Sequence, residues 1–206
     1  MAKFDIVPGL TFVTRDSWGA NPALPRLGER VPRELRTHVF AHHTVIVDRD
    51  NTPNIWENDA EIFAQMQALQ TVRPDLGLDV PYNFVVFLTS INNGIYVCEG
   101  RGEDRAGAHT KGHNTRAIAT SFAGDFQNRE IDPNEIARRM GVYSKFLGWL
   151  QKSASHPEYG NFTPLSNLGK LKPSGRAIFF HRDVKATDCP GNKLETHLRG
   201  ARFDWL

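Results

Sequence analysis

The segment FFHRDVKATDCPG (179–191) places His181 eight positions before Cys189, in a chain of 206 residues with only two cysteines. An imidazole and a thiol at that spacing support two chemistries. They can act as base and nucleophile, with His181 activating Cys189, or they can share a metal ion. Two ligands are too few for a metal, and the other candidates lie in FAHHTV, at His42 and His43. Neighbouring residues on a strand point to opposite faces, so only one of these two histidines can join His181 in a cleft. Two histidines and one cysteine leave a fourth position open, which is the make-up of a catalytic zinc site and not of a closed structural one. The residues alone leave both chemistries open. A cysteine hydrolase would survive chelators and a zinc enzyme would not.

The elements that must position these groups follow from pattern. THVFAHHTVIV (37–47) is apolar and β-branched and reads as a buried strand; AIFFH (177–181) reads as a shorter one, with His181 where it emerges. YNFVVFLTS and GIYVCEG are joined by INNG as a hairpin, and RAIATSFAGDF is a further strand. Helical spacing of Ile62, Met66, Leu69 and Val72 gives a helix over 55–72 capped by Asn58 or Asp59. A second helix starts at Asp132, with Pro133 in its first position, Glu135 completing a capping box, and Ile136, Met140, Tyr143, Leu147 and Leu150 on one face. LETHLRGARF closes the chain as a helix. This order implies an α/β fold: a single domain over 1–206 with a central mixed β-sheet flanked by helices, and the candidate site, a zinc site if the metal chemistry holds, in a groove at the strand ends. Residues 1–37 read as an extended lead-in, with 1–14 a linker or domain edge. Between Ser153 and Arg176, 10 of 24 residues are Ser, Pro or Gly, the composition of a long functional loop.

Composition excludes other classes. The chain is 40% hydrophobic and 23% charged with a net charge of +2, which is no nucleic-acid binder's pattern. It has no apolar run approaching the roughly 20 residues that span a bilayer, so membrane insertion is not expected. MAKFDIVPGL lacks a signal-peptide core, so synthesis in a cytoplasm without a signal peptide is expected. Cys98, inside GIYVCEG, reads as a buried free thiol. GRGEDRAGAHTKGHN (100–114) is glycine-rich but lacks the Gly-Lys-Ser/Thr ending of a phosphate loop. It reads as a groove wall, with His109, Arg101 and Asn114 as substrate contacts.

RDSWGA, HHT, DVPYNF, GIYVCEGRG, GAHTKGHN, ATSFAGDF and HRDVKATDCPGNKL occur in that order between about Arg15 and Leu198. In these segments the chain resembles the peptidoglycan recognition protein and N-acetylmuramoyl-L-alanine amidase family, which includes many phage endolysins. The resemblance implies Zn²⁺ held by His42, His181 and Cys189, with Tyr82 assisting catalysis beside the metal and Thr187 helping to hold the oxyanion. It implies hydrolysis of the amide between N-acetylmuramic acid and L-alanine in peptidoglycan, by a monomer made in a host cytoplasm and acting on the cell wall after release. The other function within the family is non-catalytic peptidoglycan binding, against which the full ligand set argues. The chain departs from the family pattern at Pro81, where glycine precedes the tyrosine, and at His113, where tyrosine is usual. It lacks the disulfide of animal members, and it has Thr187 where some phage members carry lysine.

Overall fold

The computed structural model describes residues 3–32, 35–46, 54–152 and 178–200. Strand β1 (Lys3–Val7) and β2 (Leu10–Val13) are followed by β3 (His38–His43), helix α1 (Asp59–Thr71), β4 (Phe84–Leu88), β5 (Ile95–Glu99) and β6 (Ala117–Phe122). Helix α2 (Pro133–Lys152), β7 (Ile178–Phe180) and α3 (Asn192–Gly200) complete the described elements. The strands form one mixed sheet in the order β1-β2-β5-β4-β6-β3-β7. The pairs β1/β2 and β4/β5 are antiparallel, and the other neighbours are parallel.

The alternation of side chains along β4 and β5 sets the layers. Phe84, Val86, Leu88, Ile95 and Val97 enter the cluster that holds Ile136, Met140, Tyr143 and Leu147 of α2 and Leu194 and Leu198 of α3. Val85, Phe87, Tyr96 and Cys98 enter the other, with Ile62, Met66 and Leu69 of α1. The sheet is therefore buried on both faces, and each fully buried large apolar side chain contributes roughly 1.5–3 kcal/mol. The mixed sheet flanked by helices is the architecture that the sequence pattern implied.

Several elements differ from the sequence reading. Residues 3–13 are not a linker: they pair as a hairpin onto the sheet, and Leu10, Phe12 and Val13 are fully buried. Their alternation is short and interrupted by Pro8-Gly9, which hides the strands. Asn58 is the N-cap of α1, accepting from the Glu61 amide. Val72, expected on the buried face of that helix, is instead its C-cap and 41% exposed. The Asp132 carboxylate caps α2 through the Asn134 amide, at 2.8 Å. The Glu135 carboxylate pairs with Arg138 and Arg139 in the next turn. β3 ends at His43, four residues before the expected strand end. The loop reading over 153–176 and the end of the closing helix beyond Gly200 lie outside the described residues.

The lead-in is held by buried charge. Arg15 pairs with fully buried Asp79 at 2.7 Å and lies over the Trp18 ring, whose indole N–H donates to the Glu99 carbonyl. This ties RDSWGA to DVPYNF and GIYVCEGRG. Arg36 is fully buried and donates to the carbonyls of Glu103, Asn114, Thr115 and Ala117. It pins the 103–117 segment with satisfied donors in place of water.

Candidate metal centre and cleft

β3 and β7 are parallel neighbours, with Ala41 beside Phe180, so their C-terminal ends lie side by side. His42 sits at one end and His181 immediately after the other. Cys189 returns to them at the end of a loop that runs into a cis Cys189–Pro190 bond and Gly191. Gly191 has φ +92°, and a Cβ there would lie 2.4 Å from the Phe126 backbone, so only glycine lets the loop close this tightly. The ligand atoms of His42, His181 and Cys189 all fall within 4.8 Å of one another.

The donor set suits zinc. His42 Nδ1 lies 3.4 Å from Cys189 Sγ. Zn–N and Zn–S bonds of about 2.05 and 2.3 Å in a tetrahedron would separate the two by about 3.6 Å. Burial, and then the neighbouring His109 and His181, hold His42 well below its ordinary pKa, so it is the neutral form that a metal requires. Burial also lowers His181. Burial pushes the Cys189 thiol up to about 12. That is the reverse of an activated nucleophile, whose thiolate is favoured by its surroundings, whereas a dication at this point would take the thiolate directly. The arrangement therefore favours the metal reading over a Cys189–His181 nucleophile pair.

Strand alternation separates the adjacent histidines as expected. His43 points to the other face, where its Nδ1 accepts from the Phe126 amide at 3.3 Å. Tyr82 reaches the centre, with its ring centroid 5.4 Å from that of His42. Pro81 does not turn it away. The Pro81 carbonyl accepts from Ala108 at 2.8 Å, the Tyr82 carbonyl accepts from Arg101 at 2.9 Å, and Asn83 Nδ2 donates to the carbonyls of Gly102 and Arg105. Thr187 lines the same cleft; its hydroxyl oxygen accepts from the Cys189 amide at 3.3 Å, which leaves its proton for a guest. The cleft holds about 380 Å³, and its wall also includes Val45, Leu69, Val72, Arg73 and Asp188.

The three expected substrate contacts have other uses. Arg101 is 3% exposed; it donates to the carbonyls of Val80 and Ala106 and lies 3.6 Å from Asp79. It braces the scaffold and is withdrawn from the groove. Asn114 Oδ1 accepts from the amides of His109 and Thr110 and so shapes that turn. His109 does line the cleft, but it is 9% exposed and its Nδ1 lies 3.1 Å from His42 Nε2. With His42 Nδ1 directed at Cys189, the geometry assigns His42 Nε2–H as donor to His109 Nδ1. Thr110 Oγ1 stands 3.0 Å from the same atom and 3.4 Å from His42 Nε2. A partner of this kind fixes the tautomer and ring angle of a ligating histidine, and its loss typically costs 10–100-fold in metal affinity. His109→Ala should accordingly weaken zinc binding by roughly 10- to 100-fold in a competitive chelator titration. Unchanged affinity would show that His42 needs no such orienting. Nothing in the spacing of GAHTKGHN marks Thr110 or this pairing, which spans 67 positions.

No family model matches the chain. It is 31% identical to peptidoglycan-recognition protein 1 of Holotrichia diomphalia over 200 residues, covering 95% of this chain and 81% of that protein. It is 30% identical over 188 residues to the N-acetylmuramoyl-L-alanine amidase of Sus scrofa, covering 90% of this chain but 26% of that protein. The ectodomain complex of peptidoglycan recognition proteins LCa and LCx, solved with tracheal cytotoxin bound, superposes with a TM-score of 0.62 at 25% identity, covering 91% of this chain and 94% of that one. Sequence relatives over nearly the full length, a shared fold and a convergent His-His-Cys set agree: the chain belongs to the family of peptidoglycan-recognition proteins and N-acetylmuramoyl-L-alanine amidases.

Proposed function

We propose that the chain is a zinc-dependent N-acetylmuramoyl-L-alanine amidase that cleaves peptidoglycan between the lactyl group of N-acetylmuramic acid and L-alanine. The observation that carries this reading is the convergence of His42, His181 and Cys189 within 4.8 Å at a cleft that Tyr82 also lines. Zinc held by these three residues would supply Lewis acidity toward the amide carbonyl and a nucleophile at neutral pH. The chain's own groups do the rest. His109 and Thr110 keep His42 in its ligating orientation. Tyr82 and Thr187 present hydroxyl protons where negative charge develops on the carbonyl oxygen, and one such donor is worth on the order of 3 kcal/mol. The cleft walls hold the muramyl peptide and exclude water from the remaining surface. A recognition module without activity would not need this complete set.

A phage endolysin setting, with release from a host cytoplasm onto the wall, belongs to the same proposal.

Turbidity loss of purified cell walls, followed with and without chelator, tests the reading. Clearing that stops on metal removal and returns on adding zinc is expected, with new L-alanine amino termini released. Binding to walls without release of amino termini would make this a recognition module. Clearing unaffected by chelator would return Cys189 to the role of nucleophile.

A further inference from the structure

We propose that Ser121 is a positioning residue for the cleavage step: its hydroxyl donates to the Tyr82 phenol oxygen and so leaves the phenol proton for the substrate carbonyl. The inference rests on the amidase reading and deepens it by one residue.

Strand register places Ser121 beneath the metal cleft. It lies opposite His42 in the β3/β6 ladder and opposite Val85 in the β4/β6 ladder. Ile118 and Phe122 of β6 enter the core on the α2 side, so alternation turns Ser121 to the other face. That face carries Val85, against whose cluster the Tyr82 ring packs, and His42, whose ring centroid lies 5.4 Å from that of Tyr82.

The direction of the bond follows from what else the two hydroxyls can reach. Ser121 is fully buried, and among the described residues its Oγ has no partner other than the Tyr82 phenol. Its proton therefore has one acceptor, the phenol oxygen. The phenol proton has a second choice, because Tyr82 lines the cleft. The contact also opposes the rise that burial imposes on the phenol, as a donor to its oxygen must.

The fold does not call for this serine. Ala117 and Ala119 fill the two preceding places on the same face. The adjacent hydroxyl makes the contrast: Thr120 bonds the Tyr143 hydroxyl at 2.6 Å on the α2 side, where both residues are sealed in the core. β6 thus offers a hydroxyl to one tyrosine on each face, and only the Ser121 pair opens on a cleft. When the phenol hydrogen-bonds the carbonyl oxygen, negative charge gathers on the phenol oxygen as well. A donor behind it strengthens the bond in front of it, because chained hydrogen bonds polarise one another.

The test measures kcat and KM on N-acetylmuramoyl-L-alanyl peptides, zinc content and thermal unfolding for the wild type, Ser121→Ala, Tyr82→Phe and the double variant. Ser121→Ala should lower kcat roughly 3- to 10-fold, the worth of one neutral hydrogen bond. KM and zinc content should hold, and the melting temperature should stay level or rise because a buried hydroxyl is removed. The double variant should be no slower than Tyr82→Phe alone, since Ser121 acts only through the phenol. A serine present for the fold would lower the melting temperature and slow both backgrounds by the same factor. That result, or a wild-type kcat in Ser121→Ala, overturns the proposal and leaves the amidase standing. A wild-type chain that cleaves none of these peptides overturns both.

Discussion

Cys189→Ala is expected to reduce zinc from near one ion per purified chain to a small fraction, and to abolish wall clearing with it. The fold should survive. Cys189 is half-buried, and the loop around it is held independently: the Gly191 amide donates to Asp188, the Lys193 amide donates to Phe126, and Arg182 pairs with Glu195 at 2.9 Å. What is lost is the one soft, anionic donor of the set. Two neutral imidazoles remain, and with them the geometry of an incomplete site. The affinity loss should exceed the roughly 100-fold that removing an orienting partner costs at most. Elemental analysis after dialysis reads the outcome directly. His43→Ala provides the contrast, since His43 packs on the far face and should keep most of the zinc. Full occupancy in Cys189→Ala would overturn the ligand assignment, and greater loss in His43→Ala than in His42→Ala would mean that the wrong face of β3 was taken.

How far the site could be read in advance depended on the range of the signal. Period-two alternation in 84–88 and 95–99, and the three-four spacing of Ile136, Met140, Tyr143 and Leu147, are local, and they placed the hairpin and α2 correctly. The opposite facing of His42 and His43 is local too, but which of them enters the cleft depends on where β6 and β7 flank β3. The scaffold contacts of Arg101 and Asn114 have no local signature, because a polar residue in a glycine-rich loop looks free until its partners are known. Arg101 is consumed by Asp79 and the Val80 carbonyl, some 20 positions away, and Asn114 by the amides of its own turn. Val72 failed for the reverse reason. Its spacing was right for the buried stripe of α1, but the helix ends before it, and the side chain is left at the cleft.

Tyr82→Phe separates chemistry from metal binding. Burial, and then the neighbouring Cys189, push the phenol up to about 12, so it keeps its proton at neutral pH and can donate it. Its ring lies against His42 and packs on the α1-side core, contacts that phenylalanine retains. The substitution therefore deletes one hydroxyl, together with its hydrogen bond to Ser121, and keeps the ring. If the phenol's bond to the substrate forms chiefly as charge develops on the carbonyl oxygen, kcat should fall roughly 10²- to 10³-fold. KM should move little, because an interaction made only in the transition state does not contribute to ground-state binding. Zinc content should stay near one per chain, because the phenol is outside the ligand set. Each alternative leaves its own trace. Loss of zinc together with rate would make Tyr82 a support for His42, the role assigned here to His109. A raised KM with unchanged kcat would make it a substrate contact. A wild-type rate would reduce Tyr82 to packing beside the centre, and the proposed oxyanion contact from the protein side would rest on Thr187, the other hydroxyl expected there.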